Sequence, residues 1–408
     1  MTCRHCKTEL SVLLIDLNTS PPSNSYVSAA QLSGPDKWYP LRVFICTNCW
    51  LVQTEDYAHF AELFSDDYAY FSSYSTSWLK HAESYVDAMV PRFGLTPASL
   101  VVEIASNDGY LLQYFKQRAI RCLGIEPTLS TATAARAKGL EVLSEFFGRR
   151  LASKLQATGV CADLVVANNV LAHVPDINDF VAGFVPLLKP GGVATFEFPH
   201  LMRLVNQCQF DTIYHEHFSY LSLTCVKNIF TANGLSVFDV EELDTHGGSL
   251  RVYAQRGDSS PRPIAQKVHS VLSQERDMGV TSTQYYSDFK SRAEKIKNDF
   301  VTFLIEAKRN KQTVVAYGAA AKGNTLLNYA GVRADLLPWV VDRNPAKCGK
   351  FLPGSRIPIV EEMRLGNERP DFIVILPWNL SAEVMEQLSY ARAWGARFVR
   401  AVPDLTVQ

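Results

Sequence analysis

The chain holds no run of 18 or more apolar residues, so it offers no helical membrane span. Its opening, Met1-Thr2-Cys3-Arg4-His5-Cys6, lacks the apolar stretch of a secretory signal, and the expected location is cytoplasmic. Net charge is almost absent: 40 Lys and Arg stand against 41 Asp and Glu. No nucleic-acid partner is expected, because a polyanion selects a basic face. Nine cysteines in 408 residues do not make a disulfide scaffold. No internal repeat of solenoid period appears. HExxH is missing, and so is a Walker A loop.

What is present is ordinary globular composition, 47% hydrophobic and 20% charged, with length enough for two or three domains. Four cysteines form two CxxC knuckles, Cys3-Arg4-His5-Cys6 and Cys46-Thr47-Asn48-Cys49. Zinc takes four soft ligands in a tetrahedron, and two knuckles supply them. With every position filled, the metal has no open site for catalysis. Its removal is expected to unfold this module more than it alters a chemical step. A redox role would want a βαβ strand before each motif, and neither has one. Trp50-Leu51-Val52 reads as a strand packed on the metal. Residues 66–75 are rich in aromatics and hydroxyls and show neither helical nor strand alternation. Two readings stand for them: a loop lining a sugar site, or a packed linker. From Trp78 to Met89 the pattern is helical.

Residues 100–105 form a short apolar run suited to a buried parallel strand. Ser106-Asn107-Asp108-Gly109 turns the chain, and residues 110–115 open a helix. Strand, tight turn and helix N-terminus together offer backbone N–H groups to a ligand. A second strand, 122–125, ends at Glu126-Pro127. Glu126 lies about twenty residues past Glu103, where an acidic residue grips ribose hydroxyls. A third strand, 162–167, runs into Asn168-Asn169-Val170-Leu171-Ala172-His173. Leu187-Leu188-Lys189-Pro190-Gly191-Gly192 precedes a fourth, 193–198. Together these features resemble the class I S-adenosylmethionine-dependent methyltransferases. The turn Ala105-Ser106-Asn107-Asp108-Gly109 has one glycine where GxGxG has three. That disfavours a pyrophosphate packed there, hence NAD, and suits a cofactor without one.

Further on, Thr212-Ile213-Tyr214-His215-Glu216-His217-Phe218-Ser219-Tyr220 gathers two imidazoles, a carboxylate and two phenols. Three readings compete. His215 and His217, two apart, would share one face of a strand and could hold a metal. The stretch could be a hydrogen-bonded core patch. Or it is an acid–base centre, for which a histidine has the right pKa. A helix is expected over 224–233 and strands bear Gly247-Gly248-Ser249-Leu250-Arg251-Val252. Residues 256–263 read as a loop. Phe289, Ala293, Ile296, Phe300, Phe303 and Leu304 recur at helical spacing, facing a core. A second α/β unit follows, with strands at 313–317, 339–342, 371–376 and 397–399. Its turn, Gly318-Ala319-Ala320-Ala321-Lys322-Gly323-Asn324-Thr325, suits a phosphate or pyrophosphate. A scaffold domain and an NAD-binding domain are the alternatives there.

Over nearly its whole length the chain resembles the sugar C-methyltransferases that act on nucleotide-linked 4-keto-deoxysugars. The resemblance rests on the four cysteines, residues 103–109, Gly124-Ile125-Glu126-Pro127, residues 168–173, Tyr214-His215-Glu216-His217 and residues 318–324. It implies an α/β chain in three parts. These are a zinc-binding domain at 1–66, a class I Rossmann-like methyltransferase domain at 67–250, and a second Rossmann-like domain at 251–408 that helps to hold a nucleotide sugar. It implies structural zinc on Cys3, Cys6, Cys46 and Cys49. It implies S-adenosylmethionine against Glu103, Ala105, Ser106, Asn107, Asp108, Gly109, Glu126, Pro127, Asn168 and Asn169. It implies methyl transfer to C-3 beside a C-4 ketone, with His217 as leading base and Tyr68, His173, Tyr214 and Glu216 in support. Gly318, Ala319, Lys322, Asn324 and His215 fall on the substrate side. TDP is the nucleotide the family implies, with GDP the alternative, on a monomer or homodimer. The competing reaction class is an NAD-dependent nucleotide-sugar oxidoreductase.

The chemistry suits these residues. A ketone acidifies the neighbouring C–H and stores the charge as an enolate. A base within about 3 Å, with a pKa near the working pH, removes that proton. A phenol or imidazole at the ketone oxygen, Tyr214 or His173, would steady the developing charge. Glu216 would orient an imidazole or touch the sugar.

Overall fold

The computed structural model describes residues 1–57, 71–259 and 262–408. Alternating apolar residues build a meander of β1 (Val12–Ser20), β2 (Tyr39–Ile45) and β3 (Val52–Thr54), each antiparallel to the next. The first CxxC knuckle precedes β1, and the second makes the turn between β2 and β3. Lys7 and Trp50, one position past each knuckle, both adopt left-handed backbone, with φ of 62° and 61°. Trp50 therefore closes a knuckle, and the expected strand starts two residues later at Val52. The fourth strand of this sheet comes from far along the chain: β9 (Ser219–Tyr220) pairs Val52 with Tyr220 and Gln53 with Ser219.

The second sheet has seven strands. Parallel β4 (Leu100–Ile104), β5 (Arg121–Ile125), β6 (Val142–Leu143) and β7 (Ala162–Asn168) are branched-aliphatic and buried. Beside β7 runs β8 (Leu188–Pro199), and then antiparallel β11 (Ser249–Arg256) and β10 (Leu235–Leu243). The order β10-β11-β8-β7-β4-β5-β6 reverses direction between β4 and β7, which opens a crevice at their C-terminal ends. Lys189-Pro190-Gly191-Gly192 lies inside β8, where the ladder slips between Ala162 and Leu164, and does not precede the strand. β11 runs across the expected 250/251 boundary and stays in this sheet.

The third sheet is smaller. Parallel β12 (Val314–Tyr317), β13 (Val340–Val341), β14 (Ile359–Val360), β15 (Phe372–Ile375) and β16 (Arg397–Arg400) carry a terminal antiparallel β17 (Thr406–Val407). Their order, β14-β13-β12-β15-β16-β17, again changes direction at the first strand. The long helix Phe289–Arg309 buries Phe289, Ala293, Ile296, Phe300 and Leu304, the helical stripe legible in the sequence.

Two cores decide how the parts sit. Leu14, Ile15, Leu17, Leu41 and Val43 of the N-terminal sheet share one core with the long helix and β12. The knuckle residues Cys3, Cys46, Cys49 and Leu51 share another with the central sheet. The N-terminal module is thus a wedge between the two α/β units. Among the described residues no helix is long and apolar enough to cross a membrane.

Candidate active site

The crevice between β4 and β7 is lined by the turn after β4. Its backbone is left-handed at alternate residues, Ala105, Asn107 and Gly109, with φ of 55°, 50° and 76°. These are the spacings of a GxGxG turn, so the turn is kept while two of its glycines are replaced. Asn tolerates that region; for Ala it is costly. At Gly109 crowding joins the left-handed backbone, because a Cβ there would push into the Leu140 side chain. Glu126 buttresses the turn: its carboxylate accepts from the amides of Asn107 and Thr128, both at 2.9 Å. Pro127 continues from it at the end of β5.

Buried polar atoms without partners among the described residues gather around this crevice, on Glu103, Ser106, Asp108, Asn168 and Asn169. A buried polar atom left unpaired is costly. Five residues at one switch point are what a ligand bearing ammonium, carboxylate and hydroxyl groups would satisfy. Burial, with Asp108 and Glu126 adding, holds the Glu103 carboxyl well above its ordinary value.

The second half of the site is the turn Tyr214–His217, closed by the His217 amide on the Tyr214 carbonyl at 2.9 Å. It is a turn and not a strand, so the two histidines diverge. His215 donates from Nε2 to the Pro40 carbonyl at 3.1 Å and packs on Tyr39, inside the N-terminal module. His217 donates from Nδ1 to the Thr212 carbonyl at 2.9 Å. A carbonyl only accepts, so this bond fixes the tautomer and leaves Nε2 as the basic lone pair. His173 is held the same way, Nδ1 donating to the Glu216 carbonyl at 2.8 Å. The two imidazoles meet edge to face at 4.6 Å between centroids, and the Tyr214 ring lies 3.9 Å from that of His217. Burial first, then neighbouring His173, keeps His217 well below the usual imidazole value; burial pushes His173 down to about 4. Both are neutral at physiological pH.

Glu216 does not meet an imidazole through its carboxylate. Oε1 accepts from the backbone and side-chain amides of Asn24, both at 3.2 Å, and Oε2 is buried without a partner among the described residues. Burial raises its pKa. Tyr68 lies outside the described residues.

The remaining walls came from positions that no motif flagged. The fully buried Glu197 at the end of β8 accepts from His81 at 2.9 and 3.0 Å and from Arg251 at 3.1 Å. Trp78 stacks on His81 at 4.8 Å and contacts His246 at 5.2 Å. His246 stands in left-handed backbone, φ 55°, just before Gly247, where a Cβ would crowd Trp378. Trp378 donates its indole N–H to buried Asp211 at 2.7 Å. Only the Gly247-Gly248 pair hinted at this junction in sequence.

On the C-terminal side, Lys322 reaches Asn379 at 2.6 Å and lies 4.5 Å over Trp378. Burial lowers its pKa to about 8. The turn Gly318-Ala319 is occupied from within the protein. Asp342 accepts from the Ala319 amide at 2.8 Å, and Tyr26 and Lys347 donate to the Ala319 carbonyl at 2.6 and 2.8 Å. Asn324 donates to the Ser23 carbonyl at 2.6 Å. Asp342, at the end of β13, also accepts from the Asn344 amide at 2.8 Å. Asp342 thus braces its turn through two backbone amides, as Glu126 braces the first.

The Sγ atoms of Cys3, Cys6, Cys46 and Cys49 lie within 4.8 Å of one another. A zinc ion about 2.3 Å from each sulfur sets sulfur pairs about 3.8 Å apart, so the four thiolates fit it. Gln53 donates to Cys3 Sγ at 3.3 Å.

Three family models match in series: a putative zinc binding domain over residues 3–64, a methyltransferase domain over 78–240, and a C-methyltransferase C-terminal domain over 244–403. The C-methyltransferase NovU of Streptomyces niveus is 32% identical over 404 residues, covering 98% of this chain and 95% of that protein. Among solved structures, a Pyrococcus horikoshii protein overlaps with a TM-score of 0.39 and 13% identity, over 49% of this chain and 99% of that one. Magnesium protoporphyrin IX methyltransferase of Synechocystis, with bound S-adenosylmethionine, overlaps with a TM-score of 0.34 and 16% identity, over 44% and 79%.

Proposed function

The chain belongs to the S-adenosylmethionine-dependent C-methyltransferases, and on that premise we propose that it methylates C-3 of a nucleotide-linked 4-keto-deoxysugar, TDP being the nucleotide. The observation that carries the reading is the fixed, neutral tautomer of His217, its Nε2 lone pair beside His173 and Tyr214. Carbon is methylated only once it has become nucleophilic, and this imidazole is a base ready to make it so.

S-adenosylmethionine supplies an electrophilic methyl group when bound. Glu103, Asp108, Asn168 and Asn169 would hold it, with Glu126 shaping the turn against its ribose. His217 Nε2 takes the proton from C-3, and the resulting imidazolium is steadied by the Thr212 carbonyl on Nδ1. The phenol of Tyr214 donates toward the ketone oxygen as the enolate forms. Neutral His173 keeps its place through the Glu216 carbonyl and does not compete for charge. Lys322, the cation between Trp378 and Asn379, meets the nucleotide's phosphates from the C-terminal side. Zinc stays out of the reaction, since its four ligands are all cysteine.

Mass spectrometry tests this. The enzyme is given S-adenosylmethionine and TDP- or GDP-linked 4-keto-deoxysugars in deuterated water. One sugar gains a single methyl group, and recovered substrate carries solvent deuterium from reversible deprotonation. Methyl gain without exchange means that methyl transfer outruns reprotonation; no gain on any sugar, with a nicotinamide cofactor co-purifying instead, turns the reading to the oxidoreductase.

A further inference from the structure

The residues between the first two zinc ligands reach well beyond the metal. Arg4, inside Cys3-Arg4-His5-Cys6, has a side chain only 6% exposed. Its guanidinium lies 5.2 Å from the centre of the Phe218 ring. Nη2 donates to the Thr54 carbonyl at 2.8 Å, and Nη1 donates to the Pro175 carbonyl at 3.1 Å. Both nitrogens also meet Asp56, at 2.8 and 3.3 Å. The Arg4 amide donates to Gln53 at 2.9 Å, and Gln53 in turn donates to Cys3 Sγ. Neighbouring His5 donates from Nδ1 to the Asn178 side-chain carbonyl at 2.7 Å.

These contacts converge on the segments that bear the two imidazoles. Pro175 lies two residues past His173. Thr54 donates its hydroxyl to the His217 carbonyl at 3.1 Å and its amide to the Phe218 carbonyl at 3.2 Å. The Phe218 amide donates to the Ala172 carbonyl at 2.8 Å. A buried guanidinium is costly to desolvate. Asp56, 56% exposed, takes one N–H from each terminal nitrogen, and the other N–H of each goes to a backbone carbonyl.

We propose that Arg4 is a positioning residue: it ties closure of the zinc knuckle to the placement of His173 against His217. The two cysteines on either side of Arg4 anchor its backbone, and its rigid fork spans both loops. This rests on the reading that those histidines do the chemistry, because an ångström of misplacement at a reacting centre costs about 100-fold in rate.

The test compares full-length, zinc-loaded wild type with Arg4→Met and Arg4→Lys, all labelled with nitrogen-15 histidine. His173→Asn and His217→Asn assign the two imidazole signals. The expected result is one zinc per chain in both variants, shifted signals for His173 and His217, and kcat lower by about 100-fold with the acceptor KM little changed. Lysine does not rescue, because an ammonium cannot span the two carbonyls. Unmoved imidazole signals in either zinc-loaded variant overturn the proposal. The spectra need no acceptor, so failure of every sugar to react would count against the proposed function and leave this test standing.

Discussion

His217 is available as a base because it is kept uncharged, and the same burial makes it a weaker base than one matched to the working pH. Burial and the adjacent His173 both oppose its protonation, so its acid limb lies well below pH 6.5. We expect kcat/KM to run level from pH 7 down through 6 as far as this group is concerned. His217→Asn keeps the shape of the turn and removes the lone pair. It should lower turnover by about 10²–10⁴-fold while calorimetry shows S-adenosylmethionine binding unchanged. Near-normal turnover would move the base elsewhere, with His173 next in line. Legibility at this level was uneven. Two imidazoles and a phenol in one short stretch announced themselves. That His215 turns away toward Pro40 could not be read, because it depends on a turn closed by one backbone bond. His81, Glu197 and Arg251 were silent, since isolated charged residues on a helix and two strands acquire meaning only when the fold stacks them.

The knuckles, the βα turns and the long helix were visible in the sequence because each is a local pattern: paired cysteines, a strand ending in small polar residues, apolar positions at helical spacing. The pairing of β9 with β3 was not visible. Two residues carry no periodicity, and the partner lies in another domain. That pairing changes what zinc removal should do. Chelation is expected to strip amide-exchange protection from β1 to β3, as the sequence alone suggests, and also from Ser219 and Tyr220. S-adenosylmethionine binding should survive, because its crevice is built on β4 and β7. Hydrogen exchange with and without chelator reads both outcomes. Full protection at 219–220 after metal loss would mean that the central domain alone holds the strand.

The three parts close around a cluster of neutral imidazoles, and this sets how the molecule responds to acid. Burial pushes both His173 and His246 down from 6.5 to about 4. The unfolded chain therefore binds these protons near pH 6.5, while the folded chain binds them only near 4. Their cost is absent above 6.5 and grows as the pH falls toward 4. The thermal midpoint should drop across that window and be level, for these groups, above it. Calorimetry as a function of pH checks this; an unchanged midpoint between 6.5 and 4 would mean that the folded cleft takes up the protons. Both cores run between domains, so the loss should come as one transition.

The wedge has a consequence for synthesis. Both knuckles are complete once Cys49 has been made, so the metal can be captured early. The contact between Thr54 and His217 spans 163 positions, however, and Leu14 and Ile15 share their core with the long helix and β12. On the ribosome this sheet waits with an open edge and a bare face until the chain has been made through the long helix and β12. The zinc module can therefore hold its ion long before the elements that bury it exist, and a chaperone would find it there in between.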